Sequence, residues 1–219
     1  FTPAKSPATR WPIAVKQPGG AAQAWFGASP PKTNPAGIPW DRDLILERIH
    51  RAQREICVQV LQYGVKSHGA TDSTIHRALI AAGERGVSVK LIVSDWAIGG
   101  SNEPVLRELS THKNVELRIS RVPFEGTKYV SFARVEHCKF MVVDDEWLWV
   151  GTSNWEPSYF MTTRNVGLTV RDRALAKEAR LAFQNSWTAP SAIALTRDAR
   201  IEPREHGEKI PAGMTLYGN

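Results

Sequence analysis

The feature that most constrains this chain is an alternation in its middle: a short apolar run, an amphipathic stretch, then another apolar run. Residues 56–63 carry Ile56, Val58, Val60, Leu61 and Tyr63, the density expected of a strand buried on both faces. A stretch with Ile75, Leu79 and Ile80 at helical spacing follows, ending near Gly83 or Gly86, and residues 87–94 form the next apolar run. A helix between two strands joins parallel neighbours, because antiparallel pairs need only a tight turn. The unit repeats in outline, with a short helix over 103–109 and a third strand over 115–119. The fold class implied is α/β, a mixed sheet flanked by helices on both faces.

The flanking segments are less regular. Residues 1–39 are rich in Pro, Gly and Ala and read as an extended lead-in. Asp41 is placed to cap a helix over 42–54 whose Leu44, Ile45, Ile49 and Ala52 make an apolar stripe. A loop over 120–131 leads to a long strand over 133–143. A turn at Asp144-Asp145-Glu146 and a strand over 147–150 complete a hairpin. One more strand over 165–170 precedes a helix over 174–187, with Leu175, Leu181, Ala182 and Phe183 expected inward. This divides the chain into a lead-in (1–39), a domain (40–190) and a tail (191–219).

Composition narrows the function classes. No apolar run approaches the roughly 18 residues of a membrane span, so no integral membrane segment is expected in this chain. Two cysteines, Cys57 and Cys138, make neither a disulfide framework nor a paired zinc site. A net charge of +6 favours an anionic partner. The start at Phe1, without Met, reads as a processed product, a proteolytic piece or an expressed fragment.

Chemistry concentrates in His137-Cys138-Lys139, Asp144 and Gly151-Thr152-Ser153-Asn154. Residues two apart in a strand share a face, so His137 and Lys139 are expected to project together. The hairpin then returns Thr152 and Asn154 beside them. One titratable imidazole, one fixed cation and neutral donors suit a phosphodiester. Lys139, Asn154 and Thr152 would hold non-bridging oxygens, and His137 would attack phosphorus or protonate the leaving oxygen.

The spacing His-x-Lys-x4-Asp-x6-Gly-Thr-x-Asn resembles the signature of the phospholipase D superfamily. Arg85-Gly86-Val87, Ser94-Asp95-Trp96, Ala133-Arg134-Val135 and Gly151-Thr152-Ser153-Asn154-Trp155 with Tyr159-Phe160 are similar to the C-terminal half of its lysosomal 5′-exonuclease branch and poxviral and bacterial relatives. The resemblance implies a phospholipase-D-type half-domain over 40–190 and a covalent phosphohistidine route needing neither cofactor nor metal. It also implies a second motif of the same kind, from an N-terminal half or a second copy. His137 would be the general acid if this is the second half, and Asp144 would support the turn and the lysine. A secreted, periplasmic or lumenal setting is likewise only implied.

Many superfamily members carry Asn-x-Glu eleven residues past the motif Asn, the carboxylate orienting the catalytic His; here Asn165-Val166-Gly167 puts Gly there. Glu125 and Asp95, then Glu136, are the candidate substitutes. Trp96, Trp155, Tyr159 and Phe160 are candidates for base stacking, with core packing as the alternative. Single-stranded nucleic acid is the expected substrate. Phospholipid hydrolysis or head-group exchange and a non-catalytic lobe completing a partner's site are the alternatives.

Overall fold

The alternation builds a nine-stranded sheet. The computed structural model describes residues 10–17, 20–123 and 135–203. In chain order, β1 (Ile13–Gln17) and β2 (Gly20–Ser29) lead to α1 (Asp41–Arg51) and β3 (Glu55–Val60). The small hairpin β4 (Lys66–Ser67) and β5 (Ala70–Thr71) precedes α2 (Thr74–Glu84), β6 (Ser88–Ser94), α3 (Glu103–Leu109) and β7 (Val115–Ser120). Then come β8 (Lys139–Val143), β9 (Trp147–Gly151), α4 (Pro157–Met161), β10 (Asn165–Arg171), α5 (Arg173–Thr188) and β11 (Ala192–Leu195). The strand order is β1-β2-β10-β9-β8-β3-β6-β7-β11. As the helical connections require, β3, β6 and β7 are parallel, while β8 joins β3 antiparallel.

Strand alternation assigns the two faces. Ile56, Val58 and Val60 pack with Ile45, Ile49 and Leu79 from α1 and α2 in one apolar cluster. Cys57, Ile92, Val142 and Leu148 pack with Ala176, Phe183 and Trp187 of α5 in the other. The mixed α/β sheet flanked by helices is therefore the observed architecture. The phase of α5 differs from expectation: Ala176, Phe183 and Trp187 face inward, whereas Leu175, Leu181 and Ala182 are exposed. All four apolar residues named from the sequence span too wide an arc for one stripe on a helix that covers a sheet from one side.

Both flanks belong to the sheet more than composition suggested. Residues 20–29 pair with β10 from Gln23↔Arg171 to Ser29↔Asn165. Gly and Ala dominate this strand because α1 crosses it closely: a Cβ on Gly27 would lie 2.8 Å from the Asp41 Cα. In the tail, β11 pairs antiparallel with β7, and Ile201 is buried. The helix expected over 42–54 ends at Arg51, and Asp41 is its first residue rather than its cap. The long strand expected over 133–143 is regular only from Lys139, with 135–138 irregular and 124–134 outside the described residues.

Candidate active site

The parallel strands β3, β6 and β7 end at Val60, Ser94 and Ser120, and β8 begins at that same edge opposite Val60. Carboxyl ends of parallel strands are where open α/β sheets bind ligands. In β8, Met141 and Val143 belong to the α1/α2 cluster and Val142 to the α5 cluster, so Lys139 projects toward the α1/α2 face. Lys139 Nζ donates to the His137 carbonyl oxygen at 3.0 Å. Burial draws its ammonium below the ordinary lysine range, against the attraction of Cys138 and Glu136. His137 itself is exposed and lies just before the strand, in irregular backbone.

Asn154 reaches this edge from the far side of the hairpin. Beyond β9 the chain is stitched to the end of β3: Trp155 N donates to Gln62 O and Gly64 N to Trp155 O, both at 3.0 Å. Asn154 is thereby 1% exposed, its Nδ2 3.4 Å from Gln62 Oε1. Its Oδ1 has no partner among the described residues. A buried amide oxygen left open is costly unless something completes it. Gln62 was not singled out from the sequence, although a polar residue closing a buried parallel strand is a recognisable position for a site residue.

Other motif residues lie elsewhere. Asp144, with φ 57°, sits at the opposite end of β8 in the β8–β9 turn. Its Oδ1 accepts from Arg54 N and Glu55 N at 2.8 and 2.9 Å, and its Oδ2 from Gln53 N at 2.8 Å. It ties the turn to the α1–β3 junction about five residues, roughly 17 Å, from Lys139, so it is not a catalytic group here and does not touch that lysine. Thr152 spends its hydroxyl on Asn165 Oδ1 at 2.9 Å, bracing β9 against β10 rather than joining Asn154.

The stacking candidates divide. Trp155 and Phe160 are each 2% exposed and belong to the core, Trp155 meeting Trp149 edge-on at 5.9 Å. Both are removed as base platforms, because the stitching to β3 turns residue 155 inward. Trp96 and Tyr159 remain partly exposed. Trp96 lies in the turn that ends β6, where Ser94 Oγ accepts from its backbone N–H at 3.4 Å.

Of the carboxylates proposed to orient the histidine, Glu125 lies outside the described residues. Asp95 is buried against Ser94 and Arg121, with Arg121 Nε at 3.7 Å. Glu136 accepts from Ser120 Oγ at 3.3 Å. The structure adds an unforeseen acid. A Cβ on Gly167 would come within 2.1 Å of Asp41 Oδ1, so the Asp41 carboxyl fills the space a side chain at 167 would take. Asp41 is fully buried and accepts from Trp149 Nε1 at 2.8 Å; burial raises its pKa to about 6, against that hydrogen bond. Its placement was invisible in the sequence because α1 and β10 are remote along the chain.

Residues 45–187 match the family model described as cardiolipin synthase, PLD-like domain. A probable phospholipase D of Caenorhabditis elegans is 28% identical over 210 residues, covering 82% of this chain and 38% of that protein. The mouse 5′-3′ exonuclease PLD4 is 32% identical over 198 residues, covering 80% of this chain and 39% of that protein. The chain thus spans about two fifths of the length of these relatives. In fold it is similar to Nuc, a phospholipase D family member from Salmonella typhimurium, with a TM-score of 0.63 at 19% identity, covering 80% of this chain and 99% of that one.

Proposed function

The chain belongs to the phospholipase D superfamily of phosphodiesterases, and on that footing we propose that it is one catalytic half of a metal-independent enzyme cleaving single-stranded nucleic acid from an end. What carries the reading is the convergence at one sheet edge of the Lys139 cation, the open Asn154 amide and the exposed His137. Lys139 and Asn154 hold the phosphate oxygens. One histidine nitrogen attacks phosphorus, an N–P bond forms and the ester P–O bond breaks, and the opposing histidine gives its proton to the leaving oxygen. That second imidazole, now neutral, takes a proton from water as its oxygen displaces the phosphohistidine. With an N-terminal half as partner, His137 is the acid and then the base.

The second motif comes from another half or a second copy. Relatives more than twice as long as the match support this. So do Val150, Val166 and Leu168, apolar side chains exposed beside Gly151 and Thr152 where a partner would cover them. Nucleic acid is favoured by the net charge of +6 and by relatives named 5′-3′ exonucleases in mouse and rat. A second reading, phospholipid hydrolysis or head-group exchange, is favoured by relatives named phospholipase D and by the description of the family model. No helix among the described residues is long and apolar enough to cross a membrane.

The test is cleavage of a short end-labelled single-stranded oligonucleotide in excess EDTA, by the chain alone and with its partner half, with His137→Ala as control. Activity that survives the chelator and vanishes in the variant is expected. Retained activity in His137→Ala would leave the chain a non-catalytic lobe, and turnover of phosphatidylcholine vesicles without oligonucleotide cleavage would favour the lipid reading.

A further inference from the structure

Beside Asn154 lies a cleft of about 100 Å³ with residues from four parts of the chain on its walls: Gln62, Tyr63, Trp96, Asn102 and Glu156. Its construction is specific. The Tyr63 hydroxyl is bonded to His76 Nδ1 at 3.0 Å, and His76 Nε2 to Glu108 at 2.9 Å, which fixes one wall. Asn102 sits where a side chain at Gly64 would be, 2.1 Å from a notional Cβ, and donates through Nδ2 to Lys66 O at 3.1 Å and to Glu156 Oε1 at 2.9 Å. No hydrogen bond to Glu156 Oε2 is present among the described residues, while His68 acts on that carboxyl electrostatically. Gln62 connects the cleft to the phosphate site, since its Oε1 faces Asn154 Nδ2. Glu156 follows Asn154 by two residues in extended backbone, which sets it about 7 Å along the same edge.

An indole, an open carboxylate oxygen and amides around a small cleft, one step from a phosphate site, match the face and edge of a heterocyclic base. We infer that this cleft binds the nucleobase next to the scissile phosphodiester, with Trp96 as its stacking platform and Glu156 as the acceptor that selects guanine. The inference rests on the nuclease reading above and adds a base preference to it. Guanine offers two adjacent N–H donors on its Watson–Crick edge, whereas adenine offers one donor beside an acceptor lone pair that a carboxylate repels. Unpaired bases expose that edge and stack on aromatic side chains. Half-burial also raises the Glu156 carboxyl above the ordinary glutamate range, opposed by the Asn102 hydrogen bond and by His68.

The experiment uses the assembled protein and four end-labelled oligothymidylates, each with G, A, C or T at the terminal and penultimate positions. Cleavage gives kcat/KM, and anisotropy on the His137→Ala protein gives binding. Guanine is expected to lead adenine by about tenfold. Glu156→Gln should reverse that order, because an amide pairs bidentately with adenine. Trp96→Ala should weaken all four oligonucleotides about tenfold without changing their order, and this arm stands should Glu156→Gln fold poorly. Cleavage whose base order is flat, or is untouched by Glu156→Gln in a protein of native circular dichroism, would overturn the pocket and leave the nuclease reading. Base-selective binding without cleavage would overturn the nuclease reading and leave the pocket. Absence of both would overturn both.

Discussion

Asp41→Asn is the perturbation whose size the structure fixes best. Asp41 is fully buried, its Oδ1 accepts the Trp149 indole N–H, and its Oδ2 has no partner among the described residues. Burial raises its pKa from 3.8 to about 6. A carboxyl raised in the folded state contributes stability that is fully present below pH 3.8 and is lost as pH climbs through about 6, because the unfolded chain ionises first. The two values differ by roughly two pH units, which at 1.36 kcal/mol each is about 3 kcal/mol. Asparagine keeps the acceptor for Trp149 and removes the ionisation. Because the unfolded carboxyl is already more than half ionised at pH 4, the variant's unfolding free energy relative to the parent should rise by about 2.4 kcal/mol between pH 4 and pH 8. Any cost of placing an unpaired amide there is a constant offset that this difference cancels. Urea unfolding of both proteins, at one protein concentration and across that range, measures it. Parallel pH profiles would refute the reasoning, since they would mean that Asp41 is hydrated or paired when folded.

Other substitutions separate scaffold from chemistry. Asp144→Ala removes an acceptor shared by the backbone N–H groups of Gln53, Arg54 and Glu55. A loss of about 2–4 kcal/mol is expected, with specific activity of the folded fraction retained. Trp155→Ala should cost about 3–5 kcal/mol as a core truncation, whereas a base-stacking role would appear as a raised KM at unchanged stability. Gly167→Ala drives a methyl into the Asp41 carboxyl and should destabilise by about 1–3 kcal/mol in thermal melts. Lys139→Met should abolish cleavage with little change in Tm, because the partly buried ammonium makes one backbone hydrogen bond and gives up none of the apolar packing.

What could be read in advance was whatever has a local period. The parallel units around β3, β6 and β7 follow from apolar runs separated by helices, and the β8–β9 hairpin from its acidic turn. Strand β2 escaped because its sequence, GAAQAWFGAS, holds no β-branched residue. It is a strand because β10 offers it an edge and because α1 demands small residues there, both of them tertiary facts. In the site, Lys139 and Asn154 reach one edge of the sheet, Lys139 at the start of β8 and Asn154 beside Gln62 beyond β3. Trp155 could not be assigned, since its inward turn depends on stitching to Gln62 and Gly64, far away in sequence. The same holds for Asp41, whose carboxyl meets Trp149 and overlies Gly167 only once α1 crosses β10.

The split of the motif into distant halves has a physical logic. Asp144 clamps Gln53, Arg54 and Glu55, and its own N–H donates to Glu55 O at 3.0 Å. Both sides of the β3–β8 ladder are thereby pinned at the Ile56↔Val143 end, and the register runs without a bulge to Val60↔Lys139. A slip of one residue would invert every side chain of β8, turning Lys139 toward the α5 side and away from Gln62 and Asn154. The four residues between Lys139 and Asp144 are therefore a length as well as a sequence. They are the strand that carries an alignment made at the turn to the lysine at the other end. Inserting one alanine between Val143 and Asp144 should test this directly. A bulge absorbed at the turn would leave cleavage intact, while a register carried through the strand would lose cleavage with the helical circular dichroism preserved.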